Sequence, residues 1–284
     1  MVKNIRTELF FLKQFGFNNT LLQEIFIKEL DPIKTIFSNE YLIRANLGNK
    51  FTDKDVKLAE SYYKYKEFKY YLFKKDDFFR DSRSKIYFKF DETNITKLLP
   101  EKIMPLFMYS KGNTSLLDIQ KQRVAIIGTR QPSNRAISIT KKLTRKFLED
   151  NYVIVSGLAE GIDTISHQTA IKYRGNTIAI LPTNFKNIYP KENRGLAKEI
   201  LNNGLLLTSI GPNENTYKSS FLDRNKYIAN ISDIVVVTET NLKSGTMNTI
   251  RNASEAGKRI LFVNQRDNLI NNKIYEFGGE MLDD

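Results

Sequence analysis

From residue 124 onward, short apolar runs alternate with segments whose apolar positions fall three or four apart. VAIIG (124–128), YVIVSG (152–157), TIAILP (177–182), GLLLTS (204–209), DIVVVTE (233–239) and RILFVN (259–264) read as strands. Between them the helical pattern predicts helices over 133–150, 163–173, 193–203, 224–230 and 246–256. Such alternation predicts an α/β fold: a mostly parallel sheet with helices on both faces. The first hundred residues differ. LFFLKQFGFNNTLLQEIF (9–26) has apolar residues at helical spacing, interrupted at Gly16–Asn19, and predicts two short helices and a turn. The expected organisation is a small helical domain over 1–95, ending in a connector rich in lysine and aromatic residues, then an α/β core over 96–284.

In a Rossmann-like sheet of this kind, ligands sit outside the carboxyl ends of the strands, where loop amides and helix N-termini point. The first strand ends on Gly128, followed by Thr129 and Arg130. An absent Cβ lets backbone approach a ligand, and a guanidinium offers a planar fork to phosphate oxygens. SGLAEGID (156–163) then sets Ser156, Gly157 and Gly161 before a helix, with Asp163 placed to cap it or orient the loop. Amides freed by glycines at a helix start form an anion site, to which Ser156 adds a hydroxyl. Glu160 in the same loop repels phosphate unless it points away.

After the third strand Pro190 breaks the chain, and Lys191, Asn193 and Arg194 cluster at a helix start. Farther on, Arg224 and Lys226 flank Asn225, and KSGTMNT brings Lys243, Ser244, Gly245 and Thr246 to another helix N-terminus. Each loop taken singly is explained by helix capping and solvated charge. Together they place cations and free amides on one rim of one sheet. His167, one turn into its helix, fits a packed, hydrogen-bonded side chain better than a lone base.

Composition narrows the partner. The 284 residues hold 44 Lys and Arg against 32 Asp and Glu, a formal charge of +12, which favours a polyanionic partner where the charges cluster. No cysteine is present, which excludes disulfides, thiolate zinc sites and cysteine nucleophiles, and a single histidine excludes a His-rich metal site. No apolar run reaches a membrane span and MVKNIRTELF lacks the long apolar stretch of a signal peptide, so the expectation is a cytoplasmic protein with no membrane association. Between 51 and 90, Tyr62, Tyr63, Tyr65, Phe68, Tyr70, Tyr71 and Phe73 stand among lysines. Bases can stack on such aromatics, or one helix can pack them on its neighbours, the commoner use.

In this order VAIIGTR, VIVSGLAEGIDTISHQTA, NIYPKENRGLAKEI, RNKYIANISDIVVV, SGTMNT and EAGKRILFV resemble the DNA-processing protein A family (DprA or Smf). The likeness covers about residues 98–265, and LLPEKIMPLFMYSKGNTSLLD (98–118) is similar to the family's lead-in to its core. The resemblance implies a Rossmann-like core, related to the LOG nucleotide phosphoribohydrolases, that binds single-stranded DNA and helps load RecA recombinase onto it in natural transformation. It further implies no catalysis, no cofactor and a homodimer formed through the core. Carried onto this sequence, the DNA contacts are Arg130, Lys191, Arg224 and Lys226, with amides around Ser156, Gly157 and Gly245 cradling phosphates.

The chain departs from the family where Pro182, Thr183 and Asn184 replace a glycine-rich loop and where RNK replaces RNR. Asp223 adds a negative charge beside Arg224, and FGFNN lacks the paired glycines of the family's N-terminal region. The winged-helix domain of many members is expected to be absent. The enzymatic alternative, a LOG-like hydrolase of nucleoside monophosphates, needs the glutamate of PGGxGTxxE. Thr249 takes that place here, leaving Glu239 as the residual carboxylate candidate. A third reading is a nucleotide-sensing protein using the same pocket.

Overall fold

The computed structural model describes residues 5–38, 43–44 and 47–282. They divide into two units, Met1–Ser82 with Gly211–Glu214, and Arg83–Ile210 with Asn215–Asp284.

In the smaller unit α1 (Ile5–Phe15) and α2 (Asn19–Ile27) flank the predicted break, followed by α3 (Pro32–Ile36), α4 (Asp53–Ala59), α5 (Tyr62–Lys75) and α6 (Asp77–Arg80). Gly16 takes φ 121° and the Asn18 side chain accepts the Leu21 N–H at 2.8 Å, so the turn is built by a left-handed glycine and an N-cap. Leu9, Leu12, Leu21, Leu22 and Ile25 are fully buried. In the aromatic segment Tyr65 packs inward beside Leu72, while Tyr62, Tyr63, Tyr70, Tyr71 and Phe73 remain exposed.

The larger unit carries a nine-stranded sheet in the order β1-β2-β6-β5-β4-β3-β7-β8-β9. Its strands are β1 (Ser84–Phe88), β2 (Phe107–Gly112), β3 (Arg123–Ile127), β4 (Val153–Ser156), β5 (Thr177–Leu181), β6 (Leu205–Thr208), β7 (Ile234–Val237), β8 (Arg259–Val263) and β9 (Gly279–Leu282). β3 to β9 pair in parallel, whereas β2 runs antiparallel to both β1 and β6. The helices are α7 (Asn94–Leu98), α8 (Asn134–Glu149), α9 (Ile162–Lys172), α10 (Arg194–Ile200), α11 (Lys218–Ile231), α12 (Gly245–Glu255) and α13 (Asn268–Glu276).

Strand side chains alternate between two cores, as the pleat requires. Val124 and Ile126 pack with Ala136 of α8 and with Ile162 and Ala170 of α9. Ala125 and Ile127 pack with Tyr227 and Ile228 of α11, Ile250 of α12 and Ile274 of α13. With both faces covered, continuous apolar strands are what the geometry demands. Among the described residues no helix is long and apolar enough to cross a membrane.

Candidate nucleic-acid interface

Strand order reverses at β3, which has β4 on one side and β7 on the other. Loops leaving a sheet at such a point diverge and open a crevice. A cleft of about 590 Å³ lies there, bordered by Gly128, Thr129 and Arg130 after β3, by Ala159 and Glu160 after β4, by Arg224 and Asn225 of α11, and by Ser244, Gly245 and Thr246 at the start of α12. The walls are tied together: Thr129 N–H donates to the Glu239 carbonyl at 2.8 Å, the Thr246 hydroxyl to the Gly128 carbonyl at 3.0 Å, and the Asn225 amide to the Gly245 carbonyl at 3.2 Å. Ser244 caps α12 by accepting the Met247 N–H at 3.2 Å. The N–H groups of Gly245 and Thr246, in the first helical turn, have no intrahelical acceptor and are available to an anion.

Beneath the cleft Arg224 and Asp163 form a buried pair, Nη1 to Oδ2 3.4 Å, with the same carboxylate oxygen accepting the N–H groups of Gly157 at 3.2 Å and Ala159 at 3.3 Å. Burial pushes the Asp163 carboxyl up, opposed by the charge of Arg224 and by those N–H groups. Burial likewise pulls the Arg224 guanidinium down, and the charge of Arg130 adds to that. Two arginines therefore converge on one cleft: Arg224 is pinned, while Arg130 is exposed.

The glycines here make room for neighbours. A Cβ on Gly157 would stand 1.3 Å from Arg224 Nη1, and one on Gly128 would stand 2.5 Å from Ile162 Cγ1 and 2.8 Å from the Glu239 carbonyl. Gly161, at φ 73°, brings its Cα within reach of the first loop, where a Cβ would meet the Thr129 carbonyl at 2.4 Å.

The family description DNA recombination-mediator protein A matches residues 87–275, most of the chain. The chain belongs to the DNA recombination-mediator protein A family. Among relatives in that family, the DNA processing protein DprA of Streptococcus pneumoniae is 38% identical over 159 residues, 56% of this chain and 55% of that protein. The chain thus spans about half the length of the curated relatives it matches, 53% for DprA of Bacillus subtilis. The structure of DNA processing protein A from Helicobacter pylori, described for its single-stranded DNA binding mode, is 30% identical with a TM-score of 0.62, covering 71% of this chain and 92% of that one. The X-ray structure of DprA from Streptococcus pneumoniae covers 98% of this chain and 94% of its own at a TM-score of 0.68 and 24% identity, a likeness of fold.

Within this member of the DNA recombination-mediator protein A family, Gly128, Thr129, Arg130, Arg224, Asn225, Ser244, Gly245 and Thr246 come together on the cleft. Other residues singled out in the sequence lie elsewhere. The Ser156 hydroxyl is buried and donates to the Ile126 carbonyl at 2.7 Å, stitching β4 to β3, and the Gly157 N–H is taken by Asp163. Asn193 is buried, its amide donating to the Leu158 carbonyl at 2.9 Å and the Thr164 hydroxyl at 2.8 Å. Lys191, Arg194 and Lys243 are exposed, and Lys226 pairs with Asp223 at 3.0 Å; none of these four borders the cleft. Glu160 does border it, setting a negative charge against Arg130. Phe221 and Leu222 also line it, unanticipated because α11 begins at Lys218 and not at the predicted Arg224. The signal was present as two apolar residues directly ahead of DRNK.

His167 is buried, and its Nδ1 lies 2.7 Å from the Thr177 hydroxyl, which itself donates to the Ile154 carbonyl at 2.9 Å. That hydroxyl can therefore only accept, so Nδ1 carries a proton. Burial, helped by the charge of Arg224, lowers the His167 pKa to about 3. With the folded value below the unfolded one of about 6.5, the stability that His167 contributes is complete above about pH 6.5 and is lost as pH falls toward 3. Urea unfolding should show stability declining by up to about 1.4 kcal/mol per pH unit through this window, a slope that His167→Gln should remove.

Proposed function

We propose that this protein binds single-stranded DNA in the cleft at the β3 switch point and, without catalysing a reaction, assists loading of a RecA-type recombinase onto that strand in natural transformation, acting as a homodimer through the core. The observation that carries the reading is the exposed Arg130 at the cleft, beside the first-turn amides of α12 and the pinned guanidinium of Arg224. Phosphates are recognised by such donors without reference to base identity, which suits a protein that must accept any strand. The single-stranded DNA binding described for the Helicobacter pylori relative supports it.

Two carboxylates that a hydrolase could use, Glu239 and Asp163, are engaged. Thr249 stands where the LOG glutamate would be, and its hydroxyl donates to the Gly245 carbonyl at 3.3 Å. Glu239 accepts the Ser133 N–H at 2.8 Å, capping α8, and Asp163 is held by Arg224.

The test is fluorescence anisotropy of a labelled single-stranded oligonucleotide across salt concentrations, with duplex as competitor. Binding should weaken with a log–log salt slope of about −0.7 per phosphate neutralised, and duplex should compete poorly. Salt-independent binding, or equal competition by duplex, would overturn the reading.

A further inference from the structure

α5 buries Tyr65 and Leu72 on one side. About 100° of rotation per residue sets Tyr62, Lys66, Lys69, Tyr70 and Phe73 on an adjoining stripe about 16 Å long. Together with Phe11 these five border a groove of about 550 Å³ within the helical unit. Tyr62, Tyr70 and Phe73 are 40%, 69% and 58% exposed, a cluster of large rings in water that isolated surface residues do not form.

The helix YYKYKEFKYYLFKK carries five lysines against one glutamate. The buried Glu8 carboxylate in the groove accepts the Tyr65 hydroxyl at 3.0 Å and is paired with Lys69, so its charge is compensated. Lys66 lies over the Tyr62 ring at 5.0 Å and Lys69 over Phe11 of α1 at 5.1 Å, so cations already lie against ring faces beside the groove.

We infer that this face of α5 is a second single-stranded DNA site, bases stacking on Tyr70 and Phe73 while lysines neutralise phosphates. The inference extends the proposal that the protein acts on single-stranded DNA but does not depend on the β3 cleft. Every base offers a π face, so stacking is tolerant of sequence, and only an unpaired strand presents those faces. A second copy of this helix would set lysines against lysines, whereas a phosphodiester chain complements them.

The chain contains no tryptophan, so Tyr70→Trp in the full-length protein creates a single local fluorophore. Titration with oligo(dT) should quench its emission saturably as bases stack on the ring. Quenching should persist with Arg130→Ala, while Lys66→Ala should raise the half-saturation concentration by about threefold.

Unchanged emission while a labelled strand binds by anisotropy would place the strand in the cleft alone and overturn the inference. So would loss of quenching in Arg130→Ala, or equal quenching by poly-glutamate, which would assign the groove to an acidic peptide. Conversely, quenching together with anisotropy insensitive to Arg130→Ala would sustain the α5 site and sink the cleft.

Discussion

Arg224→Ala is expected to lower the free energy of unfolding by about 3–5 kcal/mol, because it leaves the buried Asp163 carboxylate facing a site built for a cation. Two N–H groups remain to Asp163, from Gly157 and Ala159, but neither carries a full charge. Gly157→Ala should be similarly costly by a different route, since the new methyl would occupy the position of Arg224 Nη1 and expel the guanidinium. Both substitutions break the same pair, so the double variant should be little worse than either single one. Denaturant unfolding of the three proteins tests this. Strict additivity would show that the pair is not the common cause. Any loss of DNA binding by Arg224→Ala has to be read after this measurement, because an unfolded fraction also fails to bind.

Arg130→Ala should do the opposite: leave the melting temperature unchanged, since the side chain is exposed, and weaken single-stranded DNA binding by about tenfold or more. The salt slope should shrink by about 0.7 for the phosphate contact removed. Glu160 borders the same cleft and acts against Arg130, so Glu160→Gln should tighten binding. Anisotropy titrations of these variants decide the matter. Wild-type affinity in Arg130→Ala would remove the cleft from consideration.

The parallel half of the sheet was legible because β3 to β8 are buried on both faces, and continuous apolar runs such as VAII and IVVV have no other comfortable place. β1 and β2 escaped notice because SKIYF and FMYSKG mix lysine and serine into their runs, as edge-side antiparallel strands can. The candidate site was legible as a set of loops but not as a set of contacts. Gly128 and Gly157 signal that a Cβ cannot be tolerated, without saying whether a ligand or a neighbour takes its place; here Ile162 and Arg224 do. Ser156 and Asn193 look from their loop positions like ligand groups, yet each meets a backbone carbonyl far along the chain. The Asp163–Arg224 pair spans 61 residues, a separation that no local pattern encodes.

The notch at Gly157 has a further consequence for how an anion is received. Arg224 surrenders its rotamer freedom when the chain folds, held by Asp163 in a space that only a glycine leaves open. Ordering a long side chain on association opposes binding by about 0.5–1.5 kcal/mol. On the proposed reading, a phosphate entering the cleft would meet one guanidinium already placed and would have to order only Arg130, so part of the entropic penalty of recognition would be met during folding rather than at encounter.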